Sequence, residues 1–386
     1  VMVFIHALLL FNSIQHEPSV AWDFDAHKPY MQVLSKGRLP EKRETRAFYS
    51  APGPYVVPAV LLAKGTPFRL AMKLSQLFNV VLSALLFFFL VRCCRLVSPK
   101  NEFATTAAAL LGMLPVYYHM LVQIRGELLV ACISLMIAYY FVRCFTGEFS
   151  WKTVAYLGVL LGLVVLARQW GFFIFPPIVL FCLILLYRGD KSFFQLLSSG
   201  AVMAAISFVV GGWFYVRHIV KFGSAAAFNQ EASKTALGKR LRKIFTHFDT
   251  DRLFSNPKVY SLGDHFFSTF HATVWSDYTT YFNNTLPKKG FDFKKAPASF
   301  LRYMGRVNLV SLGPTLVFFG GIVYGLYHTL LTLRRRRELS DEPLSTGDGL
   351  LLFSALVVGC SIVGYGMFVL SYETGGTHIK AGYMLH

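Results

Sequence analysis

Residues 70–95 read LAMKLSQLFNVVLSALLFFFLVRCCR, an apolar run that is long enough, as a helix, to cross a hydrocarbon core of about 30 Å. The whole chain of 386 residues has a similar character, with 54% hydrophobic and 16% aromatic residues and a positive mean hydropathy. A soluble domain of this size needs far fewer apolar residues to fill its core. We therefore expect a bilayer to be the solvent around much of the chain.

Further apolar runs of membrane-spanning character follow the same pattern, at residues 103–122, 127–145, 152–167, 171–187, 196–216, 306–333 and 348–370. The chain also opens inside an apolar run, residues 1–11, which we interpret as a truncated helix because no small-residue cleavage site of a signal peptide follows it. The sequence thus predicts an all-α polytopic membrane protein with about nine visible transmembrane helices. We expect a fragment that lacks part of its first helix and everything after its ninth.

Residues 55–63 form a shorter apolar run that is interrupted by a proline and preceded by two others. Such a run cannot span the membrane, and we predict a segment lying along its surface.

The distribution of Lys and Arg in the short loops predicts the orientation, because such loops are enriched in these residues on the cytoplasmic side. Four basic loops alternate correctly and fall on one side, at residues 92–100, 143–152, 188–191 and 334–337. The opposite, non-cytoplasmic side then carries two long segments, residues 12–69 and 217–304. We divide the chain into an N-terminal transmembrane module at 1–216, a large outer loop at 217–304 and C-terminal helices at 305–386.

The net charge of +18 has two explanations. Cytoplasmic bias and attraction to anionic lipid headgroups explain part of it. Much of the excess, however, lies in the outer segments, where a phosphate-bearing substrate would require it. The run RRRR at residues 334–337 follows an apolar helix directly, so we interpret it as a topology anchor and expect no nucleic-acid partner.

The first outer segment carries the most distinctive motif. Residues 22–30 read WDFDAHKPY, and residues 49–55 read YSAPGPY. An acidic residue soon after the first helix, then a His, a Tyr and a Pro-rich stretch, resembles the GT-C superfamily of polytopic glycosyltransferases, in particular bacterial relatives of the dolichyl-phosphate-mannose protein mannosyltransferases. The Pro-rich stretch departs from the form usual in those relatives.

The resemblance continues along the chain in the same order. Residues 125–129 (RGELL) are similar to the family's acidic position at the outer start of a helix, and residues 167–171 (ARQWG) to a basic position between two helices. Residues 213–217 (WFYVR), 273–275 (TVW) and 380–383 (KAGY) resemble a helix end, an aromatic motif and a segment leading into a late helix.

This resemblance implies an enzyme that moves a hexose or pentose from a polyprenyl-phosphate donor to an acceptor hydroxyl, with inversion at the sugar. The acceptor would be a protein, a lipid or a polysaccharide, and membrane lipids would surround the enzyme. The resemblance also implies a bacterial inner membrane with the site facing the periplasm or cell exterior, or the endoplasmic reticulum lumen in a eukaryote.

The chemistry of the transfer predicts which residue types are needed. The leaving group is a stable phosphate and needs no general acid, whereas the acceptor hydroxyl must lose a proton to a base. The resemblance implies Asp23 as that base, because it precedes His27 by four residues as in the relatives, with Asp25 as the rival. Cations must hold the donor phosphate, and Arg168, Arg217 and Lys380 are the candidates.

Each of these candidate residues also has a structural interpretation. Asp23 and Asp25 could be a helix cap or partners of nearby Lys and Arg residues, and Arg168 and Arg217 could reach the interface without binding phosphate. His27 could hold a divalent cation beside Asp25 or simply orient the loop through a hydrogen bond.

We expect supporting roles for a further group, namely His27, Tyr30, Glu127, Gln169 and Trp275. Arg125, by contrast, is interpreted as structural.

Two other functional classes remain open. A transporter or flippase of a lipid-linked or anionic substrate would also be apolar and basic, although its charges usually lie near the middle of the bilayer on broken helices within repeated halves. A binding protein without catalysis is the third reading.

Overall fold

The computed structural model describes residues 1–20, 23–225, 241, 244–246, 248–255, 257, 265–276, 297–339 and 343–372. These residues form helices and connecting turns and contain no strand, which confirms the predicted all-α class for the described part of the chain. The α-helices are, in chain order, α1 (Met2–Gln15), α2 (Phe24–Leu34), α3 (Val56–Ala63), α4 (Phe68–Val97), α5 (Asn101–Gly112), α6 (Pro115–Val122), α7 (Glu127–Thr146), α8 (Trp151–Ala167), α9 (Phe175–Tyr187), α10 (Phe193–Ser207), α11 (Trp213–Phe222), α12 (Thr250–Phe254), α13 (Phe266–Trp275), α14 (Ala298–Val310), α15 (Leu312–Leu339) and α16 (Thr346–Ser371).

Six stretches of the described chain are helical, long and apolar enough to cross a membrane: Phe68–Val97, Glu127–Thr146, Gln169–Tyr187, Phe193–Phe222, Ala298–Tyr327 and Thr346–Ser371. A seventh is obtained if α5 and α6, which meet at a bend of 66°, count as one span. These helices make the chain an integral membrane protein. The count of nine stays a prediction, because α1 and α8 are apolar but only 14 and 17 residues long.

The bend between α5 and α6 has a local cause. Leu114 precedes Pro115 and adopts an extended backbone with φ −79° and ψ 113°. Proline disfavours the helical conformation in the residue before it, so α5 ends and α6 begins with the proline at its first turn.

The predicted surface segment appears as α3, an eight-residue apolar helix preceded by a 3-10 turn at Gly53–Tyr55. Eight residues span about 12 Å as a helix, so α3 is too short to cross the hydrocarbon core.

The helix α7 is the centre of the bundle. In its most apolar stretch 72% of the residues are buried, and it packs against α4, α8 and α16. Phe141 on α7 contacts Phe181 on α9 and Phe353 on α16, with ring centroids 5.6 and 5.1 Å apart. Side chains of α7 therefore bring together helices that are far apart in sequence, and its two ends are fixed in place.

Two glycines allow α8 to approach α10 and the π-helical turn after it, Phe208–Gly212. A Cβ atom at Gly158 would come within 2.8 Å of Ile206, and one at Gly162 within 2.5 Å of Val210. The two glycines lie one helical turn apart, on the same face of α8. Small residues in this spacing are a common way for membrane helices to gain backbone contact.

We expect Gly162→Ala to destabilise the protein by about 1–3 kcal/mol, since the added methyl group has no space against Val210. Gly200→Ala, on α10, is the control. A Cβ at Gly200 meets nothing within 4 Å, and alanine is the better helix former, so its stability should stay equal or rise slightly. Unfolding in detergent micelles measures both, and equal stability of the two variants would contradict the close packing.

Candidate functional site

Three separate chain segments meet at one end of the bundle: the turn before α2, the turn before α7, and the break after α8. Glycines make this approach possible. A Cβ at Gly126 would overlap the carbonyl oxygen of Ala167, and one at Gly53 would come within 2.6 Å of the carbonyl oxygen of Leu166. Glycine is thus required in residues 125–127 (RGE) so that the two flanking charges can reach the end of α8.

Four charged side chains from these segments form a chain of ion pairs, here called the Asp23 cluster: Asp23, Arg125, Glu127 and Arg168. The Oε1 atom of Glu127 lies 3.5 Å from Nε of Arg125 and 3.4 Å from Nη2 of Arg168. Arg125 Nη1 lies 4.0 Å from Oδ2 of Asp23. The structure therefore brings together three predicted site residues, and it joins them through Arg125.

Burial differs sharply within the Asp23 cluster. The side chains of Arg125, Glu127 and Arg168 are 3%, 2% and 8% exposed, whereas that of Asp23 is 48% exposed. Charges in such a buried position need partners, because an isolated ion pays a large desolvation cost. The cluster is consequently a buried ion pair network with one carboxylate open to solvent.

The backbone of Asp23 is unusual. It adopts a left-handed conformation with φ 59° and ψ 19°, the one positive φ among the described non-glycine residues. Its carboxylate makes no capping hydrogen bond to α2, although it occupies the N-cap position. A left-handed conformation costs about 1–3 kcal/mol for most residues and is more common at functional sites, with aspartate and asparagine the most tolerant side chains.

The rival carboxylate, Asp25, has a different environment. It is 82% exposed and lies 2.9 Å from Arg46 in an ion pair at the surface. The two candidate bases therefore differ in their partners, because Asp23 joins the buried network and Asp25 does not.

Aromatic residues hold the first outer segment against the cluster. The hydroxyl of Tyr55 lies 2.7 Å from Nδ1 of His27 with the rings stacked, and the Tyr30 ring lies 4.3 Å from that of Tyr55. Tyr30 donates to the carbonyl oxygen of Ser50 at 2.7 Å. Burial raises the pKa of Tyr55, more than the nearby Arg168 and Arg125 lower it, so the phenol stays protonated and able to donate.

His27 therefore makes the loop-orienting hydrogen bond that was one of its two readings. The alternative interpretation, a divalent cation beside Asp25, has little support in the structure. Over the described ranges no group of three or more His, Cys, Asp or Glu side chains is arranged to hold a metal, and Asp25 is engaged with Arg46.

A small, partly open cleft adjoins the cluster, with an enclosed space of about 10 Å³, close to what one water molecule needs. It is lined by Tyr49, Ser50, Ala51, Arg168, Gln169, Trp170 and Phe368. Gln169 donates to the carbonyl oxygen of Tyr49 at 3.4 Å, and the Trp170 and Phe368 rings meet at 4.6 Å. Arg168 thus contacts Glu127 and also borders the cleft.

Arg217 lies at the same end but makes other contacts. It donates to the carbonyl oxygen of Pro40 at 3.1 Å, lies 3.6 Å from Glu41, and stacks on Phe222 with its guanidinium 5.5 Å from the ring centroid. These contacts hold the first outer segment against α11. Arg217 does not line the cleft described above.

The two remaining predicted site residues are Trp275 and Lys380. Trp275 donates to Thr315 at 2.7 Å and belongs to a buried polar group between α13, α14 and α15, together with His271 and Asn308. Lys380 lies outside the described residues.

The sequence analysis interpreted Arg125 as structural and did not name Tyr55 as a site residue. Arg125 links Asp23 with Glu127, and Tyr55 joins His27 with Tyr30. The sequence feature that could have indicated the role of Arg125 is its position directly before Gly126 and two residues before Glu127. This spacing lets both charged side chains turn inward together.

Comparison with known proteins gives no match to any family model, any curated protein or any solved structure. The resemblance to the GT-C superfamily therefore stays a prediction from the motifs.

We expect Glu127→Gln to destabilise the fold by about 3–5 kcal/mol, because it removes the negative charge between two buried guanidinium groups while preserving the side-chain shape. Asp25→Asn is the matched control, since its ion pair is exposed and contributes about 0–1 kcal/mol. Chemical unfolding in micelles compares the two. A Glu127→Gln variant as stable as Asp25→Asn would mean that the arginines do not depend on Glu127.

Proposed function

We propose that this chain is a membrane glycosyltransferase that moves a sugar from a polyprenyl-phosphate donor to an acceptor hydroxyl. One observation carries the proposal: an exposed carboxylate, Asp23, and a buried arginine that borders a cleft, Arg168, lie at the same end of the bundle and are joined through Arg125 and Glu127. Base and phosphate ligand are the two groups that such a transfer needs.

The reaction would proceed as a single displacement. The acceptor oxygen attacks the anomeric carbon from the face opposite the phosphate, and its proton passes to the carboxylate of Asp23. The bond from the anomeric carbon to the phosphate oxygen breaks, and its electron pair leaves with the polyprenyl phosphate. The exposure of Asp23 suits this role, because an acceptor must reach the base from solvent.

Arg168 would hold the donor phosphate. A guanidinium offers two parallel donors to phosphate oxygens, and burial strengthens such bonds relative to water. Its contact with Glu127 fixes its orientation before the donor arrives, and Gln169 supplies a further polar group in the cleft. The rings of Trp170 and Phe368 offer an apolar wall for a sugar or a prenyl chain.

The surrounding charge favours an anionic donor. The outer segment 12–69 carries eight Lys and Arg residues against five Asp and Glu residues. Since the Asp23 cluster itself pairs two arginines with two carboxylates, this excess is the source of the net attraction that a phosphate would feel.

A transporter or flippase is the second candidate, and one observation favours it. The bent pair of α5 and α6 is a discontinuous helix that leads towards Arg125, and broken helices commonly form substrate sites in transporters. A transporter would move a lipid-linked donor between leaflets without breaking its bond to the sugar.

We expect Asp23→Asn to reduce sugar transfer by about 10²–10⁴-fold with donor affinity unchanged, because asparagine keeps the shape and tolerates the positive φ but cannot accept the proton. Transfer of labelled sugar from a panel of polyprenyl-phosphate donors, in proteoliposomes, measures it. Asp25→Asn is the control and should keep its activity.

Two results would reject the assignment. Turnover of Asp23→Asn at the wild-type rate would exclude this residue as the base. Movement of intact donors between leaflets by the wild type, with no sugar transferred from any donor, would support the transporter.

We expect Arg168→Gln to weaken donor binding by about 10–100-fold, since a hydrogen bond to a charged group contributes about 1.5–3 kcal/mol. Arg217→Gln should weaken it by less, because Arg217 contacts Pro40 and Glu41 instead of the cleft. Equilibrium binding of a donor analogue gives both values. The reverse order of effects would place the phosphate nearer Arg217.

A further inference from the structure

A second basic site lies at the other end of the bundle. Arg92 on α4 and Arg143 on α7 both donate to the single hydroxyl oxygen of Tyr139, at 2.9 and 2.7 Å. Both guanidinium groups also lie against the Tyr139 ring, 5.4 and 5.3 Å from its centroid. Tyr139 is buried, whereas both arginines are exposed, so the tyrosine fixes two cations side by side at the surface.

The two positive charges of this pair lie close together. Their donating nitrogens lie within about 5.6 Å of each other, because they share one acceptor. Within the described part of the chain, neither arginine forms an ion pair with Asp or Glu. Arg188, in contrast, is paired with Asp190 at 2.8 Å. Two guanidinium groups on one neutral oxygen repel each other, and an anion between them would remove that repulsion.

The site lies where a lipid headgroup would be. Arg143 follows Glu127 by sixteen residues on α7, which corresponds to about 24 Å along the helix axis. The Asp23 cluster and this pair are therefore separated by nearly the thickness of a hydrocarbon core, about 30 Å.

An apolar stripe runs along α4 away from Arg92. Exposed side chains recur every three or four residues on one helix face, at Leu70, Leu74, Phe78, Val81, Leu85 and Phe88, and Arg92 continues the same spacing. Phe88 contacts the Arg92 guanidinium, 5.8 Å from the ring centroid. The stripe thus runs from near the start of α4 to the arginine pair, and its part nearest Arg92 has the layout that an acyl chain attached to a phosphate requires.

We propose that Arg92, Arg143 and Tyr139 form a specific binding site for the phosphate of an anionic phospholipid, with an acyl chain on the α4 stripe. The forked guanidinium groups match phosphate oxygens, and two fixed positive charges disfavour a zwitterionic headgroup, whose cationic part they repel. Basic sites between membrane helices commonly bind anionic headgroups in this way.

The experiment uses the full chain in detergent and titrates it with phosphatidylglycerol or phosphatidylcholine, with bound lipid counted by native mass spectrometry. We expect the wild type to bind phosphatidylglycerol about 10-fold more tightly than phosphatidylcholine. Arg92→Gln with Arg143→Gln should lose that preference, since it removes both charge-assisted donors to the phosphate. The control is Arg95→Gln with Lys152→Gln, which removes the same charge from exposed residues of α4 and α8 that do not contact Tyr139, and it should keep the preference.

A third variant guards against misfolding of the double substitution. Tyr139→Phe keeps both charges but removes the shared acceptor, and it should weaken phosphatidylglycerol binding by about 2–10-fold. Three results would overturn the proposal: an equal loss in the Arg95 and Lys152 control, which would indicate general surface charge; unchanged binding in a folded Arg92 and Arg143 variant; or competition by free glycerol phosphate at the concentrations at which the lipid binds, which would indicate a soluble anion.

Discussion

The carboxylate of Glu127, shared between Arg125 and Arg168, is the interaction on which one end of this bundle depends. All three side chains are nearly fully buried, and none of these charges could be buried there alone at acceptable cost. Because the residues come from the start of α7 and the end of α8, the ion pairs fix these two helix ends together. Gly126 and Gly53 make the contact possible by allowing backbone to meet backbone.

The same network has a buried part and a solvent-exposed part. Arg168 borders the cleft from a buried position, while Asp23 reaches the network from a left-handed backbone and keeps half of its side chain in solvent. Tyr30, Tyr55 and His27, all within residues 12–69, pack against one another beside the network and brace that segment internally. A half-exposed carboxylate and a buried cation are thus held close together without direct pairing, and the proposed transfer rests on this arrangement.

The central helix α7 relates this site to the opposite membrane surface. Glu127 lies in its first turn and Arg143 in its last, and the residues between them are almost entirely apolar and buried. Charges are thereby confined to the two ends, where the cost of placing them near hydrocarbon is lowest. Arg92, Arg143 and Tyr139 form a cationic surface at the other end of α7, beside the exposed apolar stripe of α4.

The sequence alone predicted that a bilayer surrounds much of the protein, and it predicted most of the helices. The length of an apolar run is a local property of the sequence, and it decides whether a helix is long enough to span the membrane. The resemblance of its motifs predicted Asp23 as the base ahead of Asp25, and Glu127 and Arg168 as further site residues. The sequence could not distinguish the partners of Asp23 from those of Asp25, nor show that Arg125 joins Asp23 to Glu127. Those distinctions depend on partners such as Arg46 and Glu127, and for Asp23 on a residue about a hundred positions away. Only tertiary packing decides such long-range pairs, because the backbone approach at Gly126, and not any local periodicity, determines which charges can meet.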